Sequence, residues 1–194
     1  DMGGDGIREF IKWFYPQLRK QGLVIDVRDN GGGNVSAMII ERLSRKLLGL
    51  DYGRGAEITG TYPQQTYVGH LAALCNGTPA SDGDIFSYMF KQARLGPLIG
   101  TRTWGGVVGI NDWGPLIDGG TVNVPQFASA DTHGQWIIEG HGVDPDKPSV
   151  IFVGRITRQK GLPYLLRAAA ELPPEVQIVL LAGAPDTPEI MAEV

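Results

Sequence analysis

Cysteine is almost absent from this sequence. Cys75 is the only one, so no intrachain disulfide can form, and its place after the apolar run Leu71–Leu74 suits a buried thiol that behaves as a small hydrophobe. A reducing, cytoplasmic setting fits that usage. Long apolar runs are missing too. None approaches the roughly 20 residues of a membrane-spanning helix, and no charged segment leads into an apolar one as in a signal peptide, so a membrane is not an expected partner. Positive charge is not in excess: 17 Lys and Arg stand against 21 Asp and Glu, for a net charge of −4. The basic footprint needed for nucleic acid is therefore lacking. Neither Gly-Lys-Ser/Thr nor G-x-G-x-x-G spacing occurs, which makes a phosphate loop the poorest reading of the glycines.

What is present is enough for a core, with 42% hydrophobic residues over 194 positions, a length that holds one ordinary domain or a domain and a half. The chain begins with Asp1 and ends at Val194 inside an apparent helix, so both ends read as cut and the sequence as a fragment. Ile7, Phe10, Ile11, Phe14 and Leu18 recur at helical spacing and predict a helix over 7–18. Leu23–Val27 reads as a buried strand entering the turn Arg28-Asp29-Asn30-Gly31-Gly32-Gly33, and Val35–Leu48 as the helix that follows. A polar, glycine-rich stretch over 49–65 precedes a second strand over 67–74. That strand leads into Asn76-Gly77-Thr78-Pro79-Ala80-Ser81-Asp82-Gly83 and a helix over 85–95. Brief strands are expected at 96–100, 107–110, 121–127 and 135–139, the later ones forming a β-rich layer on one side of a sheet. After Asp146 the pattern changes to strand 149–153, a basic loop over 154–161, helix 162–171 and strand 177–181, a complete βαβ unit.

The turns could carry chemistry, and each has a plainer reading. A serine at the end of a buried strand and the start of a helix exposes its hydroxyl beside unpaired amides that can stabilise an oxyanion, yet Ser is also a preferred helix cap. Bare statistics favour the cap for Ser81. Gly31, Gly32 and Gly33 either serve turn geometry or expose N–H groups toward a bound carbonyl. Asp29 reads as a solvated turn residue and Asp82 as a first-turn acid favoured by the helix dipole. His70, His133 and His141 each lie in or beside an apparent strand, where a structural or exposed imidazole is the better reading.

Four blocks in order are more specific than any one turn: Val24 to Ser36, Ala80-Ser81-Asp82-Gly83-Asp84-Ile85-Phe86, Gly100 to Gly109, and Glu139 to Asp146. Together they resemble the catalytic subdomain of the tricorn-type, tail-specific serine peptidases. The resemblance covers residues 1–146 and implies an α/β fold of the ClpP/crotonase kind, a sheet whose strand-to-helix turns carry the oxyanion donors. By it Ser81 matches the nucleophile, the backbone amides of Asp82 and of the Gly31–Gly33 run match the oxyanion hole, and Glu139 matches the carboxylate supporting the catalytic histidine network. It implies a peptide substrate, no cofactor and no metal, and a homo-oligomeric parent. Relatives that use a lysine base carry it in a turn aligning with Trp104-Gly105-Gly106, where Gly106 stands in its place. The resemblance therefore implies a histidine supplied by a separate, earlier subdomain. His141, two residues after Glu139, is the least implausible substitute within the chain.

Residues 147–194 depart from that pattern. Val150-Ile151-Phe152-Val153-Gly154-Arg155-Ile156-Thr157-Arg158-Gln159-Lys160-Gly161-Leu162 resembles the opening of the nucleotide-sugar-binding domain of glycogen synthase-like glycosyltransferases, in which the residues matching Arg155 and Lys160 hold a diphosphate. That implies a partial Rossmann-like βαβ unit; with the acceptor domain and donor-ribose acids of the family missing from the sequence, Arg155 and Lys160 read as relics or solvated loop cations, and the chain as a chimera. Three functions follow in order: a serine endopeptidase fragment, a non-catalytic peptide-binding or assembly fragment, and a relic of an ADP-glucose-dependent glycosyltransferase.

Overall fold

A computed structural model describes residues 1–146, 149–157 and 160–183. They fall into two compact units, Asp1–Pro145 and Asp146–Val194.

In the first unit, helix α1 (Gly4–Phe14) buries Phe14 and packs Ile7 and Phe10 on the core. The expected continuation to Leu18 instead tightens into a 3-10 turn over Tyr15–Gln17, because Pro16 has no N–H with which to extend the α-helical ladder. Strand β1 (Gly22–Asp26) follows, then α2 (Ser36–Leu43). The stretch expected to be a polar connector contains an antiparallel hairpin, β2 (Gly49–Tyr52) and β3 (Ile58–Tyr62). Its apolar side chains Leu50, Tyr52 and Ile58 are exposed, so burial leaves no simple hydrophobic alternation by which to recognise these short strands.

Strand β4 (His70–Cys75) is buried from Leu71 onward. Helix α3 (Asp82–Gln92) and strand β5 (Leu98–Gly100) complete the central layer. The sheet is parallel in the order β1-β4-β5, with Leu23 opposite Leu71 and Ala73 opposite Leu98. Phe86, Phe90 and Leu98 are fully buried at the centre of the core. All three strands point the same way, so the turns 27–35 and 76–81 both leave from carboxyl ends, where open α/β sheets place their ligand sites.

Strands β6 (Gly109–Pro115) and β7 (Thr121–Phe127) form an antiparallel hairpin. Both are exposed along most of their length, so they do not form the covering layer expected. The strand expected at 135–139 is reduced to a bridge between Ala130 and Trp136. Beyond it the chain turns inward: Ile137 and Ile138 are buried, and Ile138 takes φ 72°. A β-branched residue with positive φ is a strained outlier that persists only where its surroundings fix it.

The second unit holds β8 (Ser149–Gly154), α4 (Leu162–Ala169) and β9 (Gln177–Ala182), with β8 and β9 parallel and in register from Ser149 opposite Gln177.

Candidate active site

The two turns at the carboxyl ends of β1 and β4 are locked together. Ala80 donates its amide to the Asn30 carbonyl at 2.9 Å. The exposed Asp29 carboxylate accepts the Thr78 hydroxyl at 2.6 Å and the Asn76 side-chain amide at 2.9 Å. These donors, Thr78 first, hold its pKa below the ordinary carboxylate range.

Ser81 occupies the N-cap position of α3 at φ 55° and ψ −117°, and its side chain makes no capping hydrogen bond. Among the described residues its hydroxyl has no partner, so the statistically favoured capping role is not the one Ser81 performs. Its amide donates to the Gly106 carbonyl at 2.9 Å. Gly32, at φ +97°, backs directly onto it: a Cβ at Gly32 would lie 2.7 Å from Ser81 Cβ and 2.8 Å from the Ala80 carbonyl oxygen. Only glycine permits this approach.

Of the expected oxyanion donors, Gly32 is otherwise engaged, since its amide donates to Asn30 Oδ1 at 2.9 Å. Gly33 is held by an isolated bridge to Met2, and a Cβ there would lie 2.0 Å from the Met2 carbonyl oxygen. The amides of Gly31, Gly33 and Asp82 have no acceptor among the described residues. The Asp82 amide is in the first turn of α3, where no intrahelical acceptor exists. The Asp82 carboxylate is buried and turned away, accepting the amide of Ser36 at 2.8 Å and the Ser36 hydroxyl.

Glu139 is exposed, and its Oε2 accepts the amides of Val107 at 2.7 Å and Val108 at 2.8 Å. It thus braces the segment that presents Gly106 to Ser81. His141 Nδ1 lies 3.0 Å from the Glu139 backbone carbonyl, not its carboxylate. His70 opens β4, at the end of the strand remote from Ser81, and His133 is an exposed turn residue. No described imidazole bonds the serine. Over Gly106 lies the exposed Trp104 indole, with ring carbons 2.3–2.7 Å from where a Cβ would be, so a lysine at this position requires the ring to move aside.

Two participants escaped the sequence reading. The Gly106 carbonyl carries no side-chain signal at all. Asp84 does, because it stands three residues after Ser81, the spacing at which a helix-start acid reaches back toward its cap. It is fully buried, and its Oδ1 accepts the Gly105 amide at 2.9 Å. Burial pushes its carboxyl above the ordinary aspartate range against the pull of the Thr103 hydroxyl and the Gly105 amide, with a smaller upward push from Glu139. In the second unit Arg155 and Lys160 are exposed, and the Lys160 stem lies 3.7–3.9 Å from where a Cβ on Gly154 would be. Arg158 and Gln159, also in the basic loop, are outside the described residues. No group of His, Cys, Asp or Glu able to hold a metal occurs among the described residues.

A serine at positive φ, at a strand-to-helix turn and backed by Gly32, stands where the sequence resemblance expects the nucleophile of a serine hydrolase. Residues 2–149 match peptidase family S41, and the chain belongs to that family. The tricorn protease of Thermoplasma acidophilum is 47% identical to it over 146 residues, which are 75% of this chain and 14% of that protein. A crystal structure of the tricorn protease superposes over the same shares of each chain with a TM-score of 0.70 and 47% identity. The chain thus spans about one seventh of the length of those relatives. A stretch of 53 residues, 27% of this chain, is 62% identical to part of the alpha-maltose-1-phosphate synthase of Mycolicibacterium smegmatis, covering 14% of it. The chain is thus similar in part to each of two different enzymes, consistent with a chimera.

Proposed function

We propose that the first unit is the nucleophile-bearing part of a cytoplasmic serine endopeptidase, with Ser81 attacking the peptide carbonyl. The observation that carries this reading is the unengaged Ser81 hydroxyl at φ 55°, beside the Asp82 amide and against Gly32. In the proposed reaction Ser81 Oγ forms the acyl bond, and the amides of Asp82 and of Gly31 or Gly33 receive the developing oxyanion. Gly32 serves by its lack of a side chain. Glu139 keeps the segment behind Ser81 in place and offers its second carboxylate oxygen to the network around the base.

That base, a histidine, comes from a separate subdomain, and the parent enzyme is a homo-oligomer acting on peptides. A serine hydroxyl is a weak nucleophile until a base takes its proton, so the chain alone is nearly inert, because loss of a base typically lowers rate by several orders of magnitude. Arg155 and Lys160 are relics here, and no glycosyl transfer is expected.

The test is labelling by a fluorophosphonate, read by mass spectrometry on the peptide containing Ser81, with imidazole added as a diffusible base. Ser81 oxygen bonds to phosphorus, fluoride leaves, and imidazole takes the hydroxyl proton. Imidazole-dependent labelling that disappears in Ser81→Ala is expected. Labelling elsewhere, or none, would sink the assignment, and fast turnover without imidazole would remove the claim of a missing base.

A second reading, a non-catalytic binding or assembly fragment, draws on the apolar side chains exposed along the β6-β7 hairpin, with Trp113 at 75% and Ile117 fully exposed. Large exposed apolar surface marks interaction sites. Oligomerisation by light scattering, without any Ser81 labelling, would favour it.

A further inference from the structure

Asp84 is the one buried carboxyl of the first unit that the peptidase reading leaves without a task. Its side chain is 0% exposed. One oxygen, Oδ1, accepts the Gly105 amide at 2.9 Å. The other oxygen, Oδ2, has no partner among the described residues. A buried polar atom without a hydrogen bond is destabilising by about 1–3 kcal/mol, so an apolar residue would serve the core better than this one.

What the carboxyl holds is the segment on which Ser81 rests. Gly105 donates to Asp84, and its carbonyl accepts the Gly140 amide at 2.8 Å. The next carbonyl, of Gly106, accepts the Ser81 amide at 2.9 Å. Val107 and Val108 then donate to Glu139. The polar backbone from Gly105 to Val108 is thereby fixed at five points, and Asp84 supplies the one that originates in the helix Ser81 begins. A non-glycine residue at φ 55° and ψ −117° is unfavourable by about 1–3 kcal/mol and persists only when its neighbours over-determine it.

We propose that Asp84 is a positioning residue for the nucleophile: by anchoring the Gly105 amide it orients the Gly106 carbonyl, which holds Ser81 in its strained conformation with the hydroxyl unengaged. This rests on the reading of Ser81 as nucleophile. The charged groups around it are few. Glu139 faces it from the 139–142 turn, and Asp82, on the same helix, is turned to Ser36.

The experiment measures the imidazole-dependent rate of Ser81 labelling against fluorophosphonate concentration, in the full chain, for wild type, Asp84→Ala, Asp84→Asn and Ser87→Ala. Ser87 is a fair control because it is buried in the same helix and bonds only the Gly83 carbonyl, at 3.0 Å. Asp84→Ala should lower the saturating rate by about 10- to 100-fold, the scale of a misplaced reacting group, with the half-saturating concentration little changed. Asp84→Asn, which keeps the acceptor for Gly105, should recover most of that rate. Ser87→Ala should melt at lower temperature and label at the wild-type rate.

Should Asp84→Ala not fold, the Gly105 amide resonance decides: it should shift with pH in wild type and not in Asp84→Asn, and a wild-type resonance that ignores pH overturns the proposal. Wild-type labelling that survives in folded Asp84→Ala, or an equal loss in Ser87→Ala, overturns it as well while leaving the nucleophile assignment standing. An unlabelled wild type removes both.

Discussion

The Asp82 carboxylate caps a helix other than its own. It accepts the Ser36 amide at 2.8 Å and the Ser36 hydroxyl, at the start of α2, while its own amide belongs to the first turn of α3, next to Ser81. One residue thus contributes its backbone to the candidate site and its side chain to the joint between two helices. Asp82→Ala should therefore destabilise the fold by about 1–3 kcal/mol, the range for losing a buried charged hydrogen-bond partner or a helix cap. Ser36→Ala should be milder, since the Ser36 amide still reaches the carboxylate. Urea unfolding of the two single variants and the double variant measures the coupling, which should be favourable. Additive losses would show that the pair acts independently.

Gly32 admits no side chain. An alanine would add left-handed backbone strain of about 1–2 kcal/mol and place Cβ 2.7 Å from Ser81 Cβ. Gly32→Ala should lower the melting temperature and abolish Ser81 labelling. Gly31→Ala, where a Cβ meets nothing within 4 Å, should retain the wild-type stability. Equal behaviour of the two variants would refute the steric account.

Much of this geometry was legible in the sequence, for identifiable reasons. Strands β1 and β4 are short apolar runs stopped by turn residues, and the helices after them show apolar spacing, so the α/β layout and the placement of Ser81 and Gly31–Gly33 at turns follow from local pattern. The β2-β3 hairpin was hidden because Leu50, Tyr52 and Ile58 face solvent and leave no buried periodicity. The descent of Ile137 and Ile138 into the core was hidden for the opposite reason, since the apolar run Trp136-Ile137-Ile138 reads as a short strand until a positive φ breaks it. The roles of Gly106 and Val108 are carried by backbone groups, which any residue type possesses.

Glu139 should matter through its two amide bonds. Glu139→Gln keeps an oxygen acceptor for Val107 and Val108, whereas Glu139→Ala leaves both donors without one. Hydrogen exchange at those two amides should be fast in the alanine variant and near the wild-type rate in the glutamine variant. Unchanged exchange in Glu139→Ala would mean that the carboxylate does not brace the segment.

Gly106→Lys should not create a serine-lysine dyad. The Trp104 ring occupies the space within 2.7 Å of the new Cβ and must move aside, so the substitution should destabilise the turn, and Ser81 labelling without imidazole should stay at the background level. Labelling that rose with pH, as expected for a lysine acting as base, would contradict this.

The raised pKa of Asp84 has a definite sign in stability. An acid whose folded pKa exceeds its unfolded value binds its proton more tightly in the native state, so its contribution is most favourable at acid pH and is lost as pH rises from the unfolded value through the folded one. Above that window the native state carries a buried charge it would rather not hold. Asp84→Asn has no proton to lose, so its stability relative to wild type should improve on going from about pH 3.5, below the ordinary aspartate value, to pH 7. Denaturant unfolding at several pH values measures the difference. A difference that is flat with pH, or that moves the other way, would place the Asp84 carboxyl in an environment that favours its ionised form and contradict the dominance of burial.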